Sequence, residues 1–297
     1  MTSFCITHKN CLDGLVSAWI FKKYCTSDKK TMFFTTPRNE WENIGLPYII
    51  DHKHEIENVY FIDANPSVSA IHEFGINKIK IKVLDHHQDE FNRLISTKKS
   101  GEISIIFNQD ECGATLAWQH FNPTLLIPKA IQYIRKNDIC VYEKEEDKYV
   151  CEYIKTNLPT NSGIDKVDVF LDNFDEQKAL EEGRVLYLKV KAEVEASIRN
   201  TIMVDFDGIN VVLANESVNP SLVGHELAKR SPSGLGMAYY VSTIKSKVKA
   251  YVRGNGACGF CKKYGGGGHE VAAGFEMDIL EFAKYLKTAK RLEVGKN

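Results

Sequence analysis

Short apolar, β-branched runs alternate with helical patterns through the first 138 residues, and that alternation restricts the chain to a mostly parallel α/β sheet. The runs SFCITH, TMFFTTP, NVYFID, KIKIKVLD and EISIIFN read as five strands. Between them, GLVSAWIFKKY places Leu15, Ala18 and Trp19 on one helical face, and SVSAIHEFG opens on Ser67 as an N-cap and stops at Gly75. GATLAWQHF and PKAIQYIRKND continue the helical pattern. Residues 168–200 have a helical composition that only Gly183 interrupts, and the pattern restarts near residue 201 with INVVLAN, SLVGHELAKRS, GMAYYVSTI and KVKAYVRG. The expected architecture is an N-terminal mostly parallel sheet flanked by helices (1–165), a connecting helical linker (166–200) and a smaller C-terminal α/β domain (201–297). The acidic run EKEEDK, residues 143–148, reads as a solvated turn.

With 297 residues and 43% hydrophobic content, the chain can build a core in each of two domains. No run reaches the roughly 18 to 20 apolar residues of a membrane span, and the opening MTSFCITHKN lacks the pattern of a secretory signal. A cytoplasmic, membrane-free protein is therefore expected. Eight cysteines scattered through such a chain are expected as free thiols rather than as a disulfide framework. Lysine plus arginine number 38 against 39 acidic residues, a net charge of −1, which argues against broad binding to long or duplex nucleic acid. A short anionic ligand in a local pocket remains compatible with that balance.

The polar residues fall where strands should end. His8 and then Asp13 follow the first strand, Asp63 follows the third, and Asp85, His86 and His87 follow the fourth. Ligands of open α/β sheets bind outside the carboxyl ends of the strands, so these groups are expected to converge, and Asp138 at the end of a helix can join them. A lone Asp at such a place is usually a helix cap; a set of them beside a His pair is a ligand set for a divalent metal. Mn²⁺ suits the carboxylates and imidazoles, with Zn²⁺, Co²⁺ or Fe²⁺ as competitors. His52, His54, His72 and His120 lie in polar or helical stretches and read as surface residues.

A second concentration of signal is KKYGGGGHEVAAGF, residues 262–275. Four consecutive glycines are costly to order and suit a backbone that approaches a ligand; successive amides make an anion nest, to which a helix starting in HEVAAG would add its positive end. Lys245, Lys247, Lys249, Tyr251 and Arg253 share one strand face leading to the glycines. Arg253 is the group best matched to phosphate, whereas the lysines also fit an edge strand protected against pairing. CGFC, with Cys258 and Cys261, has no second Cys or His pair to close a zinc site and reads as incidental.

Taken together, THKNCLDGLVSAW, FIDANP, VLDHH, NDIC and GGGGHEVAAGF resemble, in order and along essentially the whole chain, the DHH phosphoesterase superfamily, in the branch with the DHH-associated C-terminal domain. The resemblance implies an active site in the interdomain cleft and two divalent ions, Mn²⁺ foremost, with Mg²⁺, Co²⁺, Zn²⁺ and Fe²⁺ as alternatives. It implies His8, Asp13, Asp63, His86 and Asp138 as metal ligands, Asp85, His86 and His87 as the catalytic signature, and Arg253, Gly266, Gly267, Gly268 and His269 as the substrate-holding element. The family's usual first motif, HxDxDG, is here HKNCLDG, one residue longer, which puts Asn10 near the place of the first carboxylate.

The implied activity is metal-dependent hydrolysis of short single-stranded oligonucleotides or linear dinucleotides to nucleoside monophosphates, as in nano-RNases and single-strand exonucleases. A phosphatase of 3′,5′-bisphosphate nucleotides and a cyclic-dinucleotide phosphodiesterase are the alternatives within that chemistry. A catalytically silent nucleotide-binding sensor is the alternative outside it. The assembly is left open between monomer and homodimer.

Overall fold

The computed structural model describes residues 2–25, 32–36, 41–97 and 103–291, and it divides into two compact units, 1–187 and 188–297. The first unit alternates strand and helix as the sequence requires. Its order is β1 (Thr2–His8), α1 (Leu12–Tyr24), β2 (Met32–Thr36), α2 (Trp41–Asp51), β3 (Ile56–Ile62), α3 (Val68–Ile76), β4 (Lys80–Asp85), α4 (Gln88–Thr97) and β5 (Ile103–Phe107). Five helices follow: α5 (Gly113–Phe121), α6 (Lys129–Asp138), α7 (Glu145–Asn157), α8 (Ile164–Asp172) and α9 (Glu176–Ser197).

All five strands run parallel in the order β2-β1-β3-β4-β5. The strand order reverses between β1 and β3, and the crevice above that reversal is where a ligand enters such a sheet. The pleat sends alternate residues of the central strands β1, β3 and β4 to two covered faces. Cys5, Tyr60, Ile62 and Leu84 point into a core shared with α1, α5, α6 and α7. Phe4, Ile6, Val59, Phe61, Ile81 and Val83 point to the opposite face, where Trp41 of α2 and Phe74 of α3 close a second core.

Local chemistry sets the helix ends. Ser67 caps α3 by accepting from the Ala70 amide at 3.1 Å, and the helix runs one residue past Gly75 to Ile76. The EKEEDK run is not a solvated turn. Residues 145–148 open α7, and Asp147 is fully buried, accepting from Lys136 Nζ at 3.0 Å and from the Glu143 amide at 2.9 Å. Burial works against its charge, but Lys136 and the amides hold its carboxyl below the usual range, and the pair pins the last turn of α6, which ends on Asp138. The helical stretch 168–200 is broken: α8 ends at Asp172 and α9 begins at Glu176. Gly183 lies inside α9 because a Cβ there would sit 2.0 Å from the Tyr149 carbonyl oxygen of α7, so its cost to helix propensity permits a close helix crossing.

The second unit holds β6 (Ile202–Phe206), β7 (Ile209–Asn215), α10 (Pro220–Ala228), β8 (Gly236–Ser242), β9 (Lys247–Arg253), α11 (Ala257–Lys262), β10 (Gly267–His269), β11 (Ala272–Asp278), α12 (Ile279–Leu286) and β12 (Lys290–Arg291). Its mixed sheet has the order β10-β11-β9-β8-β7-β6-β12, with β7 and β8 parallel and the other pairs antiparallel. Cys258 and Cys261 of α11 are buried in its core, where they pack as small apolar groups. No helix among the described residues is long and apolar enough to cross a membrane.

Candidate metal centre

The sheet brings His8 and Asp63 together because β1 and β3 are hydrogen-bonded neighbours and both residues stand at strand ends. Asp63 is 4% exposed and has a left-handed backbone (φ 53°), an uncommon conformation for a side-chain-bearing residue outside turns and functional sites. Its amide donates to the Leu84 carbonyl of the next strand at 3.1 Å, which fixes the loop. Asp13 is presented by the first turn of α1. That turn approaches β1 closely only because residue 14 is glycine: a Cβ would lie 2.1 Å from the His8 carbonyl oxygen.

Asp13 accepts from the amides of Gly113 and Ala114, each at 2.7 Å, so its carboxylate sits on the positive end of α5. Gly113 is equally constrained, since a Cβ there would lie 2.7 Å from Asp63 Cβ and 2.8 Å from Asp13 Oδ2. The sequence reading missed Gly113; its only signal was its place at the start of a helical pattern.

The DHH stretch divides its labour. Asp85 accepts from Asn65 Nδ2 at 2.7 Å and lies 2.8 Å from His87 Nδ1, so it orients His87 from behind. Burial disfavours the Asp85 charge, yet His87 and Asn65 hold its carboxyl below the usual range. His86 faces the other way. Its Nε2 lies 3.5 Å from Asp63 Oδ1 and 3.3 Å from Asp138 Oδ2, and this buried nitrogen makes no hydrogen bond.

Three groups of possible ligand atoms, each within 4.8 Å of one another, emerge: Asp13, His86 and Asp138; His8, Cys11 and Asp63; and Asp63, Asp85, His86 and His87. Asp63 and His86 each belong to two of them. Asn10 is exposed in the turn after β1 with φ 58°; the side chain that joins His8 and Asp63 is that of Cys11. His52, at 2.8 Å from the Tyr48 carbonyl, and His54, His72 and His120 take no part in these groups.

The electrostatics test whether a cation fits. Burial, reinforced by Asp63, pushes the Asp13 carboxyl up to about 6, and burial also raises Asp63, with Asp138 adding to the effect. Burial alone would lower His86, but Asp63, Asp138 and Asp13 outweigh it and carry the imidazole up to about 9. Buried carboxylates that destabilise one another, around an imidazole nitrogen that hydrogen-bonds to none of them, are a set completed by added positive charge. The donor set fits divalent cations.

That balance sets a pH dependence. The stability that protonated His86 lends the metal-free chain is complete below its ordinary 6.5 and is lost as pH rises through about 9. A cation needs the neutral ring, so the sign reverses for binding. Affinity for the cation that His86 holds should rise by about tenfold per pH unit, for one proton released, and level off above about pH 9. Isothermal titration of metal-free protein across pH 6.5 to 9.5 measures this, and an affinity that is flat with pH would remove His86 from the ligand set.

Beside these groups a cavity of about 450 Å³ is lined by Thr7, His8, Asp63, Asn65, His87 and Arg93, among others. Arg93 is held by Glu90 at 2.6 Å and by the Pro66 carbonyl at 2.8 Å.

In the second unit the glycine run does not start a helix. Gly267–His269 is a strand that turns at Glu270 and Val271 and pairs with β11. The glycines serve two ends: a Cβ on Gly266 would meet the Gly274 carbonyl oxygen at 2.2 Å, and Gly268 has φ 144°, whereas a Cβ on Gly267 would meet nothing within 4 Å. Arg253 ends β9, donating to Ser221 Oγ at 2.5 Å and to the Val252 carbonyl at 2.9 Å. The side chain of His269 lies outside the described residues. Strand β9 is flanked on both sides by β11 and β8, so its lysines do not protect an edge. Lys245 lies in the turn before it and, with Lys249, pairs with Glu276.

Among solved structures the chain is similar to the pGpG-specific phosphodiesterase PggH from Vibrio cholerae, at 14% identity over 96% of each chain with a TM-score of 0.51. In fold the chain resembles PggH. CDC45 from Entamoeba histolytica also matches, at 10% identity over 97% of this chain and 94% of that one, with a TM-score of 0.49. No family model and no curated protein matches the chain. The likeness to PggH is one of architecture and agrees with the two-unit α/β fold class expected from the sequence.

Proposed function

We propose that the chain is a metal-dependent phosphoric ester hydrolase of the DHH type that cleaves short single-stranded oligonucleotides or linear dinucleotides to nucleoside monophosphates. The observation that carries this reading is the place of Asp63, whose carboxylate has two oxygens to offer, in two neighbouring groups of ligand atoms, an arrangement suited to two adjacent cations. Support for the substrate class comes from PggH, whose named substrate, pGpG, is a linear dinucleotide.

His8, Asp13, Asp63, His86 and Asp138 would hold the cations. When bound, these acidify an attacking water and offset charge that grows on the phosphoryl oxygens. The remaining roles belong to side chains. Asp85, steadied by Asn65, keeps the His87 ring in one orientation, and His87 donates a hydrogen bond to the phosphoryl oxygen as its charge develops. Arg93, on the cavity wall, faces the substrate with a guanidinium already aligned by Glu90. Arg253, His269 and the backbone of Gly266, Gly267 and Gly268 are assigned to holding the rest of the substrate.

Purified protein supplied in turn with Mn²⁺, Mg²⁺, Co²⁺, Zn²⁺ or Fe²⁺ should release nucleoside monophosphate from 5′-labelled di- to pentanucleotides. A 3′,5′-bisphosphate nucleotide and a cyclic dinucleotide in the same panel distinguish the two alternative hydrolases. Binding without product, at verified metal content, would leave a silent nucleotide sensor and end this reading. Gly267→Leu should raise KM about tenfold (~1.4 kcal/mol) with kcat and metal content nearly unchanged, because it removes binding common to ground and transition states. An unchanged KM would take the glycine strand out of substrate binding.

A further inference from the structure

We infer that Cys11 is a metal ligand, and that with His8 and Asp63 it makes one of the two cation positions a mixed thiolate, imidazole and carboxylate site. This rests on the two-cation reading above and assigns a residue to it that neither the family motif nor the expected ligand set contains.

Geometry carries the inference. One atom each from His8, Cys11 and Asp63 lies within 4.8 Å of the other two, and each residue reaches the spot from a different constraint. His8 ends β1, Asp63 is held in a left-handed loop after β3, and Cys11 is the residue just ahead of α1. Cys11 occupies the N-cap position, where a polar side chain usually bonds to the helix amides, but it makes no capping hydrogen bond. Its sulfur stands instead within reach of the imidazole of His8 and the carboxylate of Asp63.

The extra residue in HKNCLDG has a corresponding explanation. With Asn10 in a left-handed turn and exposed, the chain passes Cys11 rather than residue 10 across the site. As the sulfur–metal bond forms, the S–H proton leaves to solvent. A soft sulfur donor beside an imidazole favours Fe²⁺, Co²⁺ or Zn²⁺ over the harder Mg²⁺ and Mn²⁺ at this position. The other position, built from Asp13, His86 and Asp138, keeps a nitrogen and oxygen set.

The test is the absorption spectrum of the full chain loaded anaerobically with Co²⁺ alone. Wild type should bind two Co²⁺ and show a near-ultraviolet thiolate-to-cobalt charge-transfer band. Cys11→Ser should lose the band and fall to one tightly bound ion, with its circular dichroism unchanged. Cys11→Asp should lose the band, keep two ions and shift the Zn²⁺ to Mn²⁺ preference toward Mn²⁺ by ~10- to 100-fold, at least the size of effect that outer partners of a metal ligand command. Two Co²⁺ bound without a band would overturn the inference and leave the two-cation reading standing. A band that survives Cys11→Ser would place the thiolate on another cysteine and overturn it as well. Wild type that binds no Co²⁺ sinks both readings at once.

Discussion

Asp63→Ala should lower turnover of a linear dinucleotide by about a thousandfold or more, ~4 kcal/mol of transition-state stabilisation at 1.36 kcal/mol per decade, and should reduce bound metal from two ions to one or none. The size follows from position. Asp63 stands with His8 and Cys11 in one group, and its Oδ1 lies 3.5 Å from Nε2 of His86, a ligand of the other position, so its loss disturbs both cation positions rather than one. Alanine also fits poorly at φ 53°, so Asp63→Asn is the necessary companion: asparagine tolerates the left-handed backbone, keeps the shape and removes only the charge. If the charge is what matters, both variants lose metal by elemental analysis and only the alanine loses stability. Full metal content and activity in Asp63→Asn would refute the bridging role.

Gly14→Ala should be among the most damaging single methyl groups in the first unit, and one that bears on the metal centre. Its Cβ would meet the His8 carbonyl oxygen at 2.1 Å, a backbone atom that cannot swing aside, so α1 must move away from β1. About 3 kcal/mol, the upper end for overpacking, is the expected cost, or a fall of roughly 6–12 °C in the first unit's unfolding temperature. Metal affinity should fall too, since Asp13 rides on the displaced turn and would lose its 2.7 Å bonds to the Gly113 and Ala114 amides. Calorimetry resolves this if the second unit's transition serves as the internal reference. A chain that kept its unfolding temperature and its cations would show that α1 is not the element that places Asp13.

What could be read from the sequence follows from how each signal arises. Strands β1 and β3 were legible because burial on both faces leaves a nearly continuous apolar run, and β4 and β5 because their isoleucines and valine suit a strand. The residues that follow the ends of β1, β3 and β4 were legible because a crevice is where polar groups at strand ends go. The start of α7 was not, because Asp147 looks solvated until Lys136, from the preceding helix, is seen to neutralise it. The HEVAAG segment looked like a helix start, but Gly266 and Gly268 are small so that β10 can lie against β11, a tertiary reason invisible in local composition. Helix α2 was missed in a stretch where Pro47 argues against helix. Cys11 passed as an ordinary thiol. Only the turn geometry, with Asn10 swung outward, shows which of two adjacent residues faces His8 and Asp63.

The boundary between the two units falls within a continuous helix, between Tyr187 and Leu188 of α9. The two ends of that helix are moored to different cores: Ala179 to that of α1, α5, α6 and α7, and Val194 to the one containing Val212, Val223 and Ala238. Between the moorings, Val185 and Leu188 are exposed. Anyone wishing to separate the halves, or to splice a reporter between them, therefore has an incision point just past Tyr187, whose ring still rests on Tyr149 of the first unit, and short of Val190, which packs on the core of the second.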